Sequence, residues 1–414
     1  MNVCFRSLSE LRRSRPADLP SLLKTWKTLS ESLRHLNAVS VQAPDEVWEA
    51  AEPHGPLARV PILVKDNINV RGLSTTAGSL HLSAHAQSTD APVVAALRKA
   101  GAIIAAKTTL SELSGFVSTS LPGGYSQRFG RTVNSRFPGE NPGGSSSGAA
   151  SAVAAGLVPL ALGTETNGSI IMPAMRHRII GFKPTHGLIP AEGVVPISHH
   201  FDTPGVLAND CRDVGVFLHV FSVDVPHVAK PVRRIGLVVP SRGVPHAALH
   251  RFKRAAATAS LEVVEVRFPT PFASYKVICS HDIQLDMTQW LQRYGDGSTN
   301  DFHALVESYR QSGHPFGFDR LDDADRFQGK DARRLYKQAL EERLLLIEAL
   351  DGLFRAEAID AVVVFSYETL WAMTGFPHIT IPWDGDNLLI GMKRGEDERL
   401  VAFAQRLSEL CTGQ

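Results

Sequence analysis

Cysteine is scarce in this sequence, its charge is nearly balanced, and it has no long apolar run. Four cysteines are spread over 414 residues without C-x-x-C spacing, which predicts reduced thiols and argues against a disulfide framework or a zinc site. The formal net charge is +1, so no electrostatic footprint for nucleic acid or an anionic membrane is present. The most apolar window, 149–163, is interrupted by Gly156 and Pro159, whereas a transmembrane helix needs about 20 apolar residues.

The first residues, 1–20, contain no apolar segment of the kind that directs secretion. Together with the cysteine usage, this predicts a soluble cytoplasmic protein. Its partners are expected to include neither nucleic acid nor a membrane, and a homodimer is an assembly that the sequence leaves open.

Apolar periodicity near the start of the chain indicates the α/β class. VPILVKDNINV (60–70) and AIIAAKT (102–108) read as strands. The segment between them, DAPVVAALRKAGA, reads as a helix capped by Asp90 and stopped by Gly101. A strand, a helix and a strand in this order favour parallel pairing of the two strands.

The remaining segments fit the same class. Residues 5–40 read as short amphipathic helices, 233–268 repeat the strand–helix–strand pattern, and 283–358 are polar and mainly helical. Three apolar segments and a helix over 396–411 close the chain. We predict a single α/β domain, 1–414, with a large mixed central β-sheet flanked by helices, in which 283–358 form a helical layer or lid.

A dense glycine–serine stretch, PGGSSSG, occupies 142–148. Composition alone suggests a flexible linker or a surface turn. A phosphate-binding loop would need a lysine after its last glycine, and a dinucleotide-binding turn would need G-x-G-x-x-G spacing; both are missing. The stretch runs directly into apolar sequence that reads as buried, so its position does not fit a linker.

A second motif, GTETNGSI, presents a serine that could act as a nucleophile. Ser169 follows Asn167 and Gly168, which both tolerate positive φ and could form a sharp turn with exposed backbone amides. A serine hydroxyl needs a base, but the histidines fall at no telling interval and no G-x-S-x-G elbow exists. Lys65, after four apolar residues, could serve if burial lowers its pKa. A lone lysine at a strand end is ordinarily a solvent-facing residue. Lys65 therefore points to catalysis only in combination with the serine motifs.

Four stretches, taken in order, resemble the amidase signature family. They are VPILVKDNINVRGLSTTAGS, AGAIIAAKTTLSELSGF, NPGGSSSGAASAVAAGLVPLALGTETNGSI and GFKPTHGLIP, and together they cover about 57–221. The wording of GTETNGSI and of the later GFPHITIP is most similar to the peptide-amidase-like branch. The resemblance implies a Ser–cis-Ser–Lys triad made of Lys65, Ser145 and Ser169, so that PGGSSSG would hold a proton relay.

The resemblance also implies how the site works. Ser145 would follow a cis peptide bond and pass protons between the lysine and Ser169, the nucleophile. Backbone N–H groups of Thr166, Asn167, Gly168 and the nucleophile itself would form the oxyanion hole. The expected reaction is hydrolysis of a small-molecule carboxamide to an acid and ammonia, with no metal and no cofactor. Acyl transfer from the same acyl-enzyme, or the role of an amidotransferase A-type subunit that needs partners, are the alternatives.

Two single positions and one run of three residues depart from the family's pattern. Asn167 stands where many members have glycine, and Ile171 stands where many carry arginine. The run Arg176-His177-Arg178 falls where the family is usually small or apolar. These arginines are either solvated or salt-bridged charges, or Arg176 contacts an anionic group of the substrate.

Overall fold

The computed structural model has an eleven-stranded mixed β-sheet at its centre, with helices packed against it. The predicted α/β class with a large mixed sheet is thereby confirmed. The structure describes the following residues: 5–14, 18–221, 230–238, 246–270 and 274–412.

The strands follow one another along the chain as short segments. They are β1 (Val39–Gln42), β2 (Pro61–Lys65), β3 (Ile103–Thr108), β4 (Tyr125–Ser126), β5 (Gly130–Arg131), β6 (Leu160–Glu165), β7 (Ile180–Lys183), β8 (Thr203–Ala208), β9 (Arg234–Val238), β10 (Glu262–Val266), β11 (Ala361–Val364), β12 (His378–Trp383) and β13 (Asp386–Gly391).

The helices are more varied in length. They are α1 (Leu8–Ser14), α2 (Leu19–Ser32), α3 (Glu46–Glu49), α4 (Pro92–Lys99), α5 (Ser147–Ala154), α6 (Ile171–His177), α7 (Cys211–His219), α8 (His246–Thr258), α9 (Tyr275–Tyr294), α10 (Phe302–Ser312), α11 (Asp319–Arg326), α12 (Gly329–Ala356), α13 (Leu370–Thr374) and α14 (Asp397–Thr412), with 3₁₀ turns at Arg34–Leu36 and Glu112–Gly115.

The large sheet has the strand order β1-β3-β2-β6-β8-β7-β12-β13-β11-β9-β10, and β4 and β5 form a separate pair. Strand β2 is parallel to β3, and β9 is parallel to β10, which confirms the pairing predicted from the strand–helix–strand patterns. Every residue of β2, β3 and β6 is buried. Such continuous apolar runs are typical of strands covered on both faces.

The stretch 283–358 contains most of α9 and all of α10–α12. Apolar side chains that include Ile283, Leu305 and Leu321 form a buried cluster of their own, which also contains Phe116 near the predicted catalytic residues. This cluster packs the helical layer against the loop that contains Phe116. That the layer acts as a lid stays a prediction.

The predicted cap of α4 is wrong. The residue at the N-cap is Ala91, and Asp90 makes no capping bond. The carboxylate of Asp90 instead accepts the backbone N–H of Arg71 at 2.8 Å and pairs with Arg98 Nε at 3.1 Å. Two alternative donors therefore use the oxygens that a cap would need. The predicted stop is present, since Gly101 follows the helix with φ +93°.

Strand β2 is also shorter than the predicted strand 60–70. It ends at Lys65, and the N–H of Ile68 donates to the carbonyl of Lys65 at 3.0 Å, so the chain turns there. The turn leaves Lys65 as the last residue of an interior strand.

Cys211, Cys279 and Cys411 are free thiols, as predicted, and Cys4 lies outside the described residues. Among the helices of the described ranges, none combines the length and the apolar character that a bilayer crossing requires.

Candidate active site

Two adjacent strands bring the predicted catalytic residues to one edge of the sheet. Lys65 ends β2, and β2 is parallel to β6, with Leu63 opposite Ala161. Carboxyl ends of parallel strands meet at the same edge, which is where sites of α/β sheets form. The turn that follows β6 and carries Ser169 therefore starts beside Lys65.

The side chain of Lys65 is completely buried among oxygen atoms. Its Nζ lies 2.7 Å from Ser145 Oγ, 2.9 Å from Thr164 Oγ1 and 3.3 Å from the carbonyl of Thr164. Asn67 Nδ2 donates to the same Thr164 hydroxyl at 3.0 Å. The predicted contact between the lysine and the first serine is thus present, and Thr164 fixes the position of the amine.

Burial lowers the pKa of Lys65 to about 7, although the charges of Asp202 and Glu165 oppose the shift. Desolvation penalises the ammonium form of a buried lysine. Near neutral pH a large fraction of the amine is therefore unprotonated and able to accept a proton.

We expect kcat/KM for amide cleavage to rise as the pH increases through about 7 and then to level off. Below that pH Lys65 holds its proton and cannot accept one from Ser145; above it the amine is free. Initial rates across the neutral range would measure the profile, with circular dichroism at each pH to show that the fold persists. A profile that is flat through neutrality would contradict a lysine base.

The glycine–serine stretch is a tight turn against the core. The peptide bond before Ser145 is cis. Gly143 has φ +73°, and a Cβ there would lie 2.7 Å from the Cα of Pro173, so only glycine fits. The N–H of Ser146 donates to the carbonyl of Ser169 at 3.0 Å. This bond joins the segment that carries Ser145 to the segment that carries Ser169.

The turn before Ser169 uses positive φ only at Gly168, where φ is +82°. A Cβ on Gly168 would lie 2.9 Å from the phenol ring of Tyr367. Asn167, which could also have used positive φ, does not. Its side chain acts as an acceptor instead, because Oδ1 receives hydrogen bonds from the hydroxyls of Tyr367 and Thr369. Asn167 thereby ties the turn to the segment before α13.

A buried carboxylate holds the chain on the other side of Ser169. Oε2 of Glu165 accepts the N–H groups of Ile170 at 2.8 Å and Ile171 at 3.0 Å. Its Oε1 lies 2.9 Å from Nε2 of His378. Burial alone raises the pKa of Glu165, but the bond to His378 and the two N–H donors lower it overall, so the carboxylate stays charged as an acceptor.

Backbone N–H groups are available next to Ser169. Within the described ranges, no protein acceptor receives the N–H of Thr166, Asn167, Gly168 or Ser169. An oxyanion hole requires unpaired donors of this kind, held rigid before the reaction. The predicted donors are thus unpaired, and their role in an oxyanion hole stays a prediction.

Asp202, which the sequence did not single out, forms a hydrogen bond with Thr166 in the turn before Ser169. Its Oδ1 accepts the hydroxyl of Thr166 at 2.6 Å, and its Oδ2 accepts the N–H groups of Ile197 at 2.7 Å and Ser198 at 3.0 Å. Burial raises the pKa of Asp202 to about 6. One carboxylate thus connects the turn with Ser169 to the chain before β8.

Ser169 opens into a cavity of about 270 Å³. Apolar groups such as Phe116 line part of the wall, and the charged side chains are Lys276, Arg320 and Asp323. Helices α9 and α11 supply all three charged groups. The cavity is large enough for a small-molecule amide and carries a net positive lining.

Arg176 and Arg178 line a different cavity, of about 330 Å³, that does not include Ser169. Helix α6 begins at Ile171. Arg176 is exposed, and the guanidinium of Arg178 stacks over the ring of Phe137 at 4.6 Å. The structure does not bring Arg176 together with the other predicted site residues, and its contact with substrate stays a prediction.

Sequence reasoning missed four residues that shape this site: Thr164, Glu165, Asp202 and Tyr367. Thr164 and Glu165 belong to the GTETNGSI motif, which was the available signal. Asp202 and Tyr367 have none, because their partners lie 36 and 200 positions away in the chain.

Comparison with known proteins agrees with the motifs. The sequence model of the Amidase family matches residues 31–377. Mandelamide hydrolase of Pseudomonas putida is 30% identical over 397 residues, covering 86% of this chain and 75% of that enzyme. Indoleacetamide hydrolase of Pseudomonas savastanoi is 42% identical over 167 residues, which is 40% of this chain and 36% of that enzyme. The matched stretch thus spans less than half the length of several relatives.

The fold agrees as well. The crystal structure of native peptide amidase from Stenotrophomonas maltophilia superposes with a TM-score of 0.88 at 27% identity, covering 98% of this chain and 97% of that one. The family match covers most of the chain, and the relative at 30% identity is covered over three quarters of its length. These findings confirm the resemblance seen in the motifs: the chain belongs to the amidase family, also called the amidase signature family.

Proposed function

We propose that this protein hydrolyses the C–N bond of a small carboxamide, giving a carboxylic acid and ammonia, through an acyl-enzyme on Ser169. The observation that carries the proposal is the buried Lys65, whose amine lies 2.7 Å from Ser145 Oγ and whose pKa is about 7. A neutral lysine beside a serine supplies the base that a serine nucleophile lacks by itself.

The first half of the reaction forms the acyl-enzyme. Lys65 takes the proton of Ser145, and Ser145 takes the proton of Ser169, whose Oγ attacks the amide carbonyl. The contact between Lys65 and Ser145 is already made, whereas the contact between the two serine hydroxyls has to form in the substrate complex. The backbone N–H groups of Thr166, Asn167 and Gly168 receive the charge that develops on the carbonyl oxygen. Loss of a single donor of this type costs on the order of 10²–10³ in rate in other enzymes.

The second half releases the products. Collapse of the tetrahedral intermediate breaks the C–N bond, and the leaving amine takes its proton back along the relay from Lys65 through Ser145. A water molecule, activated by the same relay, then attacks the acyl group on Ser169. The relay is restored to its starting state, so no cofactor is consumed.

The purified protein alone tests this proposal. Incubation with a panel of primary amides should release ammonia and the matching acid in equal amounts. Added hydroxylamine would trap the acyl-enzyme as a hydroxamate in either reaction, so the rate of acid release without an added acceptor is the readout that separates hydrolysis from acyl transfer. An amidotransferase subunit would need its partners for activity. The whole-chain likeness to mandelamide hydrolase and peptide amidase supports hydrolysis over both alternatives.

The preference for substrates of one charge should depend on Arg320. The cavity at Ser169 is lined by two positive side chains, Arg320 and Lys276, and one negative side chain, Asp323. We expect amides with an anionic substituent to have lower KM than neutral amides of the same size. Arg320→Ala should raise KM roughly tenfold more for anionic than for neutral amides. This difference separates the loss of charge recognition from the loss of the hydrogen bond that Arg320 Nη1 donates to the carbonyl of Gly115 at 2.9 Å, which affects both kinds of amide.

Arg176→Ala is the matched control for that measurement, since it removes an arginine that lines the neighbouring cavity. It should leave the ratio of KM values for anionic and neutral amides unchanged. The reverse outcome, an effect of Arg176→Ala and none of Arg320→Ala, would restore Arg176 as the residue that contacts the substrate.

The compartment and the oligomeric state of the protein are also part of the proposal. Two free thiols in the core, Cys211 and Cys279, fit a reducing compartment, which supports a cytoplasmic location. A homodimer stays a prediction, and sedimentation velocity would test it. A small-molecule amide is the only partner that the proposed reaction requires.

A further inference from the structure

Two histidines and two aspartates converge at a point separate from the proposed catalytic residues. His199 and His200 belong to the segment 197–201 before β8, here called the histidine turn, and Asp282 and Asp286 lie on α9. Residues four apart on a helix share one face. Both carboxylates therefore face the histidine turn.

The distances between these groups suit a metal ion. Nδ1 of His200 lies 2.9 Å from Oδ2 of Asp282. Nδ1 of His199 lies 2.9 Å from Oδ2 of Asp286 and 3.9 Å from Oδ2 of Asp282. One ligand atom each from His199, His200 and Asp282 lie within 4.8 Å of one another. Around a tetrahedral zinc ion with bonds of about 2.0–2.1 Å, ligand atoms are about 3.3 Å apart. The observed separations bracket that value.

Asp282 is held ready to act as a ligand. Only 1% of its side chain is exposed, and its oxygens accept the hydroxyls of Ser198 at 2.5 Å and Tyr336 at 2.7 Å. Such outer contacts orient the ligands of metal sites in proteins.

A simpler interpretation is a pair of hydrogen-bonded His–Asp contacts. His303 and Asp325 form such a pair elsewhere, with Nδ1 at 3.0 and 3.1 Å from the carboxylate oxygens. Within the described residues, only His199, His200 and Asp282 form a group of three or more potential ligands close enough to share one ion. The His303 pair contains a single imidazole, whereas two imidazoles lie close to Asp282 in the group formed with His199 and His200.

The cluster is also reachable from solvent. His199 and Asp286 line a cavity of about 440 Å³, which is distinct from the cavity at Ser169. The His199 side chain is 55% exposed, and Asp286 is 12% exposed. An ion could enter from this cavity and reach the buried Asp282.

We propose that His199, His200 and Asp282 bind a divalent transition-metal ion of the zinc type, beside Asp286, whose Oδ2 contacts Nδ1 of His199. Imidazole nitrogens suit Zn²⁺ and Co²⁺, whereas Mg²⁺ and Ca²⁺ prefer ligand sets made of oxygen. The bound ion joins the histidine turn to α9 and takes no part in breaking the amide bond. The site goes beyond the proposed amidase activity and does not depend on it.

Zinc binding by the full chain tests the proposal directly. The protein is stripped with a chelator, dialysed and titrated with Zn²⁺ by calorimetry and with Co²⁺ by visible absorption. One equivalent of Zn²⁺ should bind, the melting temperature should rise with zinc concentration, and Co²⁺ should show the intense bands of tetrahedral coordination. His199→Ala and His200→Ala should each weaken zinc binding roughly tenfold or more.

His303→Ala provides the matched control, because it removes an imidazole from a His–Asp pair that has no second histidine. Its zinc affinity should equal that of the parent. If His200→Ala does not fold, His199→Ala, which changes a side chain that is 55% exposed, carries the test. No binding at one equivalent, equal binding of Mg²⁺, or unchanged affinity in the His199 and His200 variants would overturn the site. All readouts are made without substrate, so their outcome is independent of amidase activity.

Discussion

Replacing Ser169 by alanine should reduce amide hydrolysis by about 10⁵–10⁶-fold, the scale on which other enzymes lose rate when a nucleophilic serine is removed. Without Ser169 Oγ no acyl-enzyme can form. The fold should survive, because within the described residues this hydroxyl makes no hydrogen bond to protein and faces the cavity. Steady-state rates, with mass spectrometry of protein quenched during turnover, would measure both the loss and the missing acyl adduct.

Ser147→Ala is the control for this substitution. Ser147 lies in the same glycine–serine stretch and is also buried, but its hydroxyl contacts Thr132 at 3.4 Å. Its loss should leave activity of the same order as the parent. An acyl adduct that still forms in Ser169→Ala would show that another residue is the nucleophile.

Replacing Lys65 by methionine should have the second largest effect, on the order of 10²–10⁴-fold in kcat. Methionine fills the buried space but cannot take the proton of Ser145. Raising the pH should not restore activity, since the remaining hydroxyls do not ionise near neutrality. Lys65→Arg should be similarly inactive, because a guanidinium keeps its proton at all accessible pH. Measurement of kcat across neutral and alkaline pH checks each variant.

Lys183→Met is the control for Lys65→Met. It shows whether activity is lost because a base is removed or because any buried lysine is removed. Lys183 is also completely buried, burial lowers its pKa to about 8, and its Nζ donates to the carbonyl of Pro184. This variant should keep activity of the same order as the parent. Equal losses in Lys65→Met and Lys183→Met would mean that burial of a lysine, and not a proton relay, explains the effect.

The sequence by itself determined the fold class and the candidate triad. The buried strands β2 and β3 are mostly apolar, so the sequence predicted both strands and, from the helix between them, their parallel pairing. Lys65, Ser145 and Ser169 each lie in a long motif with a characteristic order of residues. Such a motif identifies the candidate residue from the sequence alone, without knowledge of three-dimensional contacts. Local signals were less reliable at the ends of elements, as Asp90 illustrates, because a carboxylate can bond any donor that the fold brings near.

Only the tertiary structure decided which distant side chains complete the site. Asp202 and Tyr367 meet Thr166 and Asn167 across 36 and 200 positions of the chain. The two arginines that the sequence singled out line another cavity, whereas Arg320 of the helical layer lines the cavity that contains Ser169. The pKa of Lys65 has the same origin, since desolvation depends on everything packed around the amine. Sequence spacing describes neighbours along the chain, whereas burial and long-range contacts depend on which surfaces meet once the chain has folded.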